Sequence, residues 1–514
     1  MIVALAFIAM QILLIPGTDV QEVRTAFLTA FGCGSLGYTA LRDRWGVSDY
    51  YHLFLIPLAW IVIRGLIDFV PGYTPYIVSQ YVAIFGIILL IRTLNSKWLW
   101  WALALTIVIQ IAYTYLPMYK LHGLEGFWRD SYAEHKTFFG TLYGWGTMRH
   151  SIKFSTIMFA GLIACAHLFI RGGKVQKILV VPVALLGLGA IVLSTSHAII
   201  ACVLLCVFAS LFIVMLEWNW KAALNITGAA ILLSAIALVG HEEWIKPAAA
   251  FLKGFAVDSC RSRLWSIVWE NIKGLDWLIG KGIGSWELLR GVIGHDVAGH
   301  PHNEILLILF EQGLLGVGMW VGLTGLIMFH AMDSKPLFFG FILLSLSFCT
   351  NSMIDYASMW MTWAVMAGLC LRDYEEGKAR DTTGEVWGIV GRMNHKQNDL
   401  FNIIVVLFCI YGMYTSWINY DFNCRMSALN KLPKKEFASK TIDVLDSTPT
   451  LKARYYKALA IWDTAIDNPG ARDSWRQAMC LDAYNRMKEI HKQAPGYRNI
   501  DNTFNFIESL KGTK

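Results

Sequence analysis

Residues 300–328 read HPHNEILLILFEQGLLGVGMWVGLTGLIM. The first residues are polar and hold two imidazoles. From Ile305 onward the stretch is apolar, broken only by Glu311 and Gln312. A hydrocarbon core about 30 Å thick needs about 20 apolar residues in a helix, so this stretch reads as a membrane span. Working outward, the same pattern recurs near 1–16, 23–40, 52–70, 76–93, 97–116, 154–170, 177–194, 197–216, 221–240, 336–352, 356–371 and 402–418. With 304–328 this makes about thirteen spans in 514 residues. A chain that is 56% hydrophobic and 16% charged is too apolar for a soluble domain of this length. The expected fold is an all-α polytopic membrane protein. Its first span lacks the basic flank and cleavage site of a signal peptide and reads as a retained helix.

Loop charge sets the expected orientation. Alternate loops hold Arg42 and Arg44; Arg92 and Lys97; Arg171, Lys174 and Lys177; Lys221; Lys335; and Arg372, Lys378, Arg380, Arg392 and Lys396. The opposite short loops, near 17–22, 71–75, 194–197 and 352–356, have no Lys or Arg, and Arg24 is the one cation close by. The N-terminus is therefore expected in the cytoplasm. Loops 118–152 and 241–303 and the tail 421–514 are expected on the outer side, with residues 1–420 as the membrane core. The net charge of +7 reflects these inner loops and does not point to a nucleic-acid partner. Most of the ten cysteines fall in spans and read as small hydrophobes. Cys424 and Cys480 could pair in an oxidising compartment.

Loop 241–303 carries an amphipathic stretch in which Leu264, Ile267, Val268 and Ile272 recur at helical spacing. Trp265, Trp269, Trp277 and Trp286 suit a helix at headgroup level. Gly280, Gly282 and Gly284 then interrupt it. The loop ends in His300, His302 and Asn303, where water meets membrane, within reach of a lipid-borne substrate with its reactive head at the bilayer surface. Loop 118–152 adds Arg129 and Arg149. The tail contains short paired helical patterns, loosely similar to tetratricopeptide units but too few for a repeat array. They read as a helical cap or as a docking module.

His302-Asn303-Glu304, followed by Glu311, Gly313 and Gly316, resembles the signature of the O-antigen ligase/polymerase superfamily of the Wzy-C type. Arg263 with Trp265, and Gly280-x-Gly282-x-Gly284, are similar to that family's Arg and Gly-x-Gly elements in the same loop. Ser194-Thr195-Ser196-His197 resembles its Ser-Arg element, with His197 where Arg is usual. The resemblance covers roughly 140–372. It implies a membrane glycosyltransferase that moves a glycan from a polyprenyl-diphosphate carrier to an acceptor hydroxyl on the periplasmic face of the bacterial inner membrane. The acceptor would be a lipid A-core sugar, a growing glycan or a protein, as in lipopolysaccharide and other surface polysaccharide biosynthesis. Neither cofactor, metal nor nucleotide sugar is implied.

The residues suit that chemistry. A departing diphosphate calls for Arg, which grips phosphate bidentately. An acceptor hydroxyl calls for a base near neutral pKa, which imidazole supplies. His302 and Arg263 are therefore the candidate catalytic residues, with His302 as base, phosphate contact or structural interfacial residue. Arg261, His300, Asn303, Arg64, Arg149 and Asp355 are candidates for substrate binding. Asn303 could equally cap the next helix, Asp355 could cap its own turn, and Arg64 could simply pair with Asp68 at i,i+4. Glu311 lies about 13 Å along the helix from His302 at about 1.5 Å per residue, so it is expected to orient neighbours. Gly313 and Gly316 are expected to permit close helix packing. Gly282 and Gly284 complete the motif. No Walker or dinucleotide-binding glycine pattern is present. A lipid-linked glycan transporter is the competing reading, although no internal repeat supports it.

Overall fold

The computed structural model describes residues 2–12, 20–41, 51–70, 74–92, 97–115, 151–194, 199, 261–286, 301–332, 334–350, 357–378, 395–429, 451–466 and 473–493. These residues form helices α1 (Ile2–Ile12), α2 (Val20–Leu41), α3 (Tyr51–Ile67), α4 (Thr74–Arg92), α5 (Lys97–Tyr115), α6 (Ser151–Arg171) and α7 (Lys174–Leu193). They continue with α8 (Arg261–Asn271), α9 (Asp276–Ile279), α10 (Glu304–Ala331), α11 (Lys335–Ser347), α12 (Ala357–Lys378), α13 (His395–Leu429), α14 (Leu451–Ile466) and α15 (Asp473–Gln493). No strand occurs among the described residues. A helix lies at every expected span except 197–216 and 221–240, nearly all of which falls outside the described residues.

Among the described residues, six helical stretches are long and apolar enough to cross a membrane: Thr74–Arg92, Lys97–Thr114, Ile152–Arg171, Lys174–Val192, Glu304–Ala331 and Asn402–Met426. Ile2–Gln11, Ile56–Ile67 and Leu337–Ser347 are apolar but shorter. The protein is an α-helical, multi-pass membrane protein. Only helices can cross hydrocarbon without leaving backbone groups unbonded, short of closing a barrel.

Helix α4 is the centre. Of its apolar window 83% is buried inside the protein, against 22% for α7. Outward-facing Val175, Ile178 and Leu185 on α7 are exposed, as expected of a lipid-facing surface. Helices α2, α3, α12 and α13 surround α4. The approach of α2 is close because a Cβ on Gly32 would overlap Ala83 of α4 and one on Gly86 would overlap the Gly32 carbonyl. Lipid tails give little hydrophobic drive between helices, so such close van der Waals contact carries the association. Tyr81 and Phe85 of α4 meet Trp320 of α10 at ring separations of 6.0 and 5.8 Å. Trp360 and Trp363 of α12 complete this aromatic cluster.

Helix α13 runs past the expected membrane boundary near residue 420. Its 35 residues span about 52 Å, well over a bilayer core of about 30 Å. Apolar residues thin out after Trp417, but the helix continues, braced by an Asp421–Arg425 pair at 2.7 Å. Its far end packs Phe422 against Ala453 and Tyr456 of α14. Helices α14 and α15 pair through Ala458, Ile461, Trp462, Ala483, Met487 and Ile490, and Val70, just beyond α3, packs on the same cluster. No disulfide joins Cys424 to Cys480.

Candidate functional site

The site is built around a break in α10. Gly313 sits at φ 69°, ψ −171°, which no helix allows. A break there deprives the preceding carbonyls of their helical partners. In a membrane these must be bonded again from elsewhere. Lys281 N donates to Phe310 O at 2.8 Å, and Gly282 N donates to Glu311 O at 3.0 Å. Trp60 Nε1 of α3 donates to Gln312 O at 3.3 Å. Two separate segments therefore bond the carbonyls beside the break.

The glycines make this docking possible. Gly280, Gly282 and Gly284 all have positive φ (76°, 104° and 82°), which side chains rarely allow. A Cβ on Gly280 would overlap the Glu311–Gln312 peptide, and one on Gly313 would overlap Leu278. The place of a Gly316 side chain is filled by Gln312. At Gly313 the close packing expected against a helix is made instead against the Leu278–Gly280 segment, locked into the broken helix. Glu311 Oε1 accepts from Trp286 N at 3.4 Å, and Trp286 packs edge-on to Phe310 at 5.5 Å, so Glu311 orients the loop.

Arg64 serves the same loop. It is 2% exposed, its Nη2 donates to Gly280 O at 3.1 Å, and it pairs with Asp68 at 2.6 Å. A Cβ on Gly282 would lie 2.6 Å from Asp68 Cβ. The pair expected at i,i+4 forms, and it clamps the Gly280–Gly282 segment to the end of α3. Lys281 is tied to Asp276 at 2.7 Å.

His302 stands one residue before the N-cap of α10. Its φ of 53° makes it the one non-glycine residue with a left-handed backbone among the described residues. For a side-chain-bearing residue that conformation costs of order 1–3 kcal/mol and must be held by its surroundings. Both flanks hold it. Pro301 O accepts from Trp265 Nε1 at 3.0 Å, and Asn303 Oδ1 accepts from Leu306 N at 3.1 Å. Asn303 is thus the helix cap. Leu264, Ile267 and Val268 of α8, with Ile272 just beyond it, support the site by packing with Leu306, Leu307 and Phe310. Arg263 is exposed on α8, two residues from Trp265 and so on a different face of the helix.

The structure therefore gathers His302, Asn303, Glu311, Gly313, Gly316, Gly280, Gly282 and Arg64 around one helix. It does not place Arg263 on the face that meets Pro301. The side chain of Arg261, and residues His300, Arg149, His197 and Asp355, lie outside the described residues. No cluster of His, Cys, Asp and Glu suited to a metal ion occurs among the described residues. Trp60 is not among the candidates read from the sequence, and Gln312 stands there only as a polar break in an apolar run. The signal was there: Trp60 precedes Arg64 by four residues and so shares its face, and Gln312 is a polar residue deep in an apolar span. No protein-family model matches this chain, and no curated protein matches it.

Proposed function

We propose that the protein transfers a glycan from a polyprenyl-diphosphate carrier to an acceptor hydroxyl at a membrane surface, as an O-antigen ligase does. The observation that carries this reading is the strained, doubly anchored backbone of His302 at the mouth of α10. Strain of this kind persists where the surrounding structure enforces a particular side-chain direction. The motif order, from Arg263 through Gly280-x-Gly282 and His302-Asn303 to Glu311-x-Gly313, adds support, since the Gly280–Gly282 segment bonds the Phe310 and Glu311 carbonyls and α8 packs on the first turns of the same helix.

In this mechanism the acceptor oxygen attacks the anomeric carbon of the donor glycan. The bond from that carbon to the phosphate oxygen breaks, and the diphosphate leaves on its lipid. The acceptor proton passes to the His302 imidazole. Arg263, exposed on α8, and Arg261 contact the diphosphate as negative charge collects there. The membrane is the bacterial inner membrane, with the N-terminus cytoplasmic and α14 and α15 periplasmic. Donor and acceptor both reach the site from the bilayer. A lipid A-core sugar is the leading acceptor, and a growing glycan or a protein hydroxyl is served by the same chemistry.

A transporter reading draws on the break in α10, because discontinuous helices often surround transported ions. Here the carbonyls at the break are bonded by Lys281, Gly282 and Trp60, so they are not offered to a cargo. This favours the transferase.

The test uses purified protein in proteoliposomes with polyprenyl-diphosphate-linked oligosaccharide and lipid A-core. Glycan on the lipid core is the expected product, and His302→Ala should abolish it while membrane insertion persists. Longer lipid-linked ladders would mark a polymerase. An intact donor moved across the bilayer would establish the transporter, and full transfer by the His302 variant would remove that residue from the chemistry.

A further inference from the structure

Helices α6 and α7 form an antiparallel hairpin turned at Gly172 and Gly173, and an apolar groove of about 420 Å³ lies between them. Small side chains leave that room. Cys165 and Ala166 of α6 and Ala184 of α7 line the groove, while Phe169, Leu185 and Leu188 form its exposed walls. Leu185 also belongs to the lipid-facing surface of α7, so the groove opens to the bilayer.

One end of the groove is marked by charge. Lys177 Nζ lies over the Phe169 ring, 5.7 Å from its centroid. That contact holds an ammonium at the end of the groove nearest the turn. Lys174 is exposed one helical turn earlier, on the same side of α7. Between Ser151 and Leu193 there is no Asp or Glu, so the hairpin itself brings only positive charge to this end. The extent of the groove is set by the helices. On α7 it reaches from the level of Lys177 on to Leu188, eleven residues or about 16 Å. On α6 it runs from Phe169 back to Leu162, about 10 Å. A bilayer core of about 30 Å has leaflets of about 15 Å each. The groove therefore has about the depth of one leaflet, with its cations at the headgroup end.

We infer that the groove holds one acyl chain of an anionic phospholipid from the leaflet on that side, with its phosphate on Lys174 and Lys177. Basic pockets between membrane helices take anionic headgroups, and an ammonium acts on phosphate as a compact point charge. A small anion from solution would leave the apolar length of the groove unused. A helix of another protein would run the full core, for which the groove is too short. Lysines alone would draw anionic lipid to the surface without fixing it, and an apolar groove alone would accept any chain. Joined end to end, the two select one headgroup charge and hold the lipid in one place. This site does not depend on the glycan-transfer reading.

The experiment uses the full chain in detergent, stripped of lipid. Phosphatidylglycerol and phosphatidylcholine with identical acyl chains are titrated in, and retained lipid is counted by native mass spectrometry. The parent should retain phosphatidylglycerol in preference. Lys174→Gln with Lys177→Gln should weaken that retention about tenfold or more. Lys174→Arg with Lys177→Arg keeps the charge and should stay within a few-fold of the parent. Ala184→Phe fills the groove and leaves both lysines in place, and it should weaken retention as much as the Gln pair does. Leu185→Gln makes an exposed wall polar and should act in the same direction, which covers the case where the Phe variant fails to fold. Equal retention of the two lipids by the parent would overturn the site. So would full retention of phosphatidylglycerol by Ala184→Phe and Leu185→Gln, which would leave only surface charge at work. A dimer that excludes lipid and is lost in Ala184→Phe would overturn it as well, giving the groove to a second copy of the chain.

Discussion

His302 adopts a backbone conformation suited to glycine, and that sets stability against activity at one position. Replacing it with Gly relieves the strain, so His302→Gly should stabilise the protein by about 1 kcal/mol, read as a higher thermal midpoint in detergent. The same change removes the imidazole and should end glycan transfer. His302→Ala keeps the strain and should end transfer without the gain in stability. A Gly variant no more stable than the Ala variant would show that the geometry is unstrained. One residue on, Asn303→Ala removes the cap on Leu306 N and should cost about 1 kcal/mol. The sequence made His302 conspicuous through its imidazole neighbours and its place before an apolar span. Its backbone conformation left no trace there, because nothing about a histidine announces φ above zero.

At the scale of elements, α10 is held at its break by a loop and by α3. Gly280→Ala and Gly313→Ala damage the same interlock from opposite sides. Each should lower stability by about 2–4 kcal/mol, and the double variant should cost little more than either alone, because contacting sites do not add. Additive losses, measured by thermal denaturation in detergent, would mean that the two glycines act independently. Trp60→Phe leaves Gln312 O without its donor and should cost about 1–3 kcal/mol. Apolar runs show where helices lie, so α4 through α7 and α10 stand where hydropathy puts them. They do not show that a run such as 304–328 contains a break. A single Gly is common in membrane helices, and the distinguishing evidence, three Gly at alternate positions some thirty residues upstream, becomes meaningful only once the two segments touch.

Across the whole molecule, α13 carries the chain out of the bilayer as one rod and ends under the α14–α15 pair. Among the described residues the pair packs on Phe422 and Met426 of α13 and on Val70. A chain ended after Leu429 should insert and run as a single species in size-exclusion chromatography. Its loss of stability should be about 2–4 kcal/mol, the cost of uncovering Phe422 and the partly buried Val70. Aggregation of that chain would show that α14 and α15 are part of the core. Charge and composition separated this tail from the membrane part but put the division near residue 420, because polarity rises there while the helix goes on. The break in α10 also bears on how the protein is made. Trp60 and the 280–282 segment both precede α10 in the chain, so a ribosome delivers them first. When the residues around Gly313 enter the bilayer, the groups that bond their carbonyls have already been synthesised. A permuted chain that made α10 before them would have to insert a helix with open carbonyls in its middle.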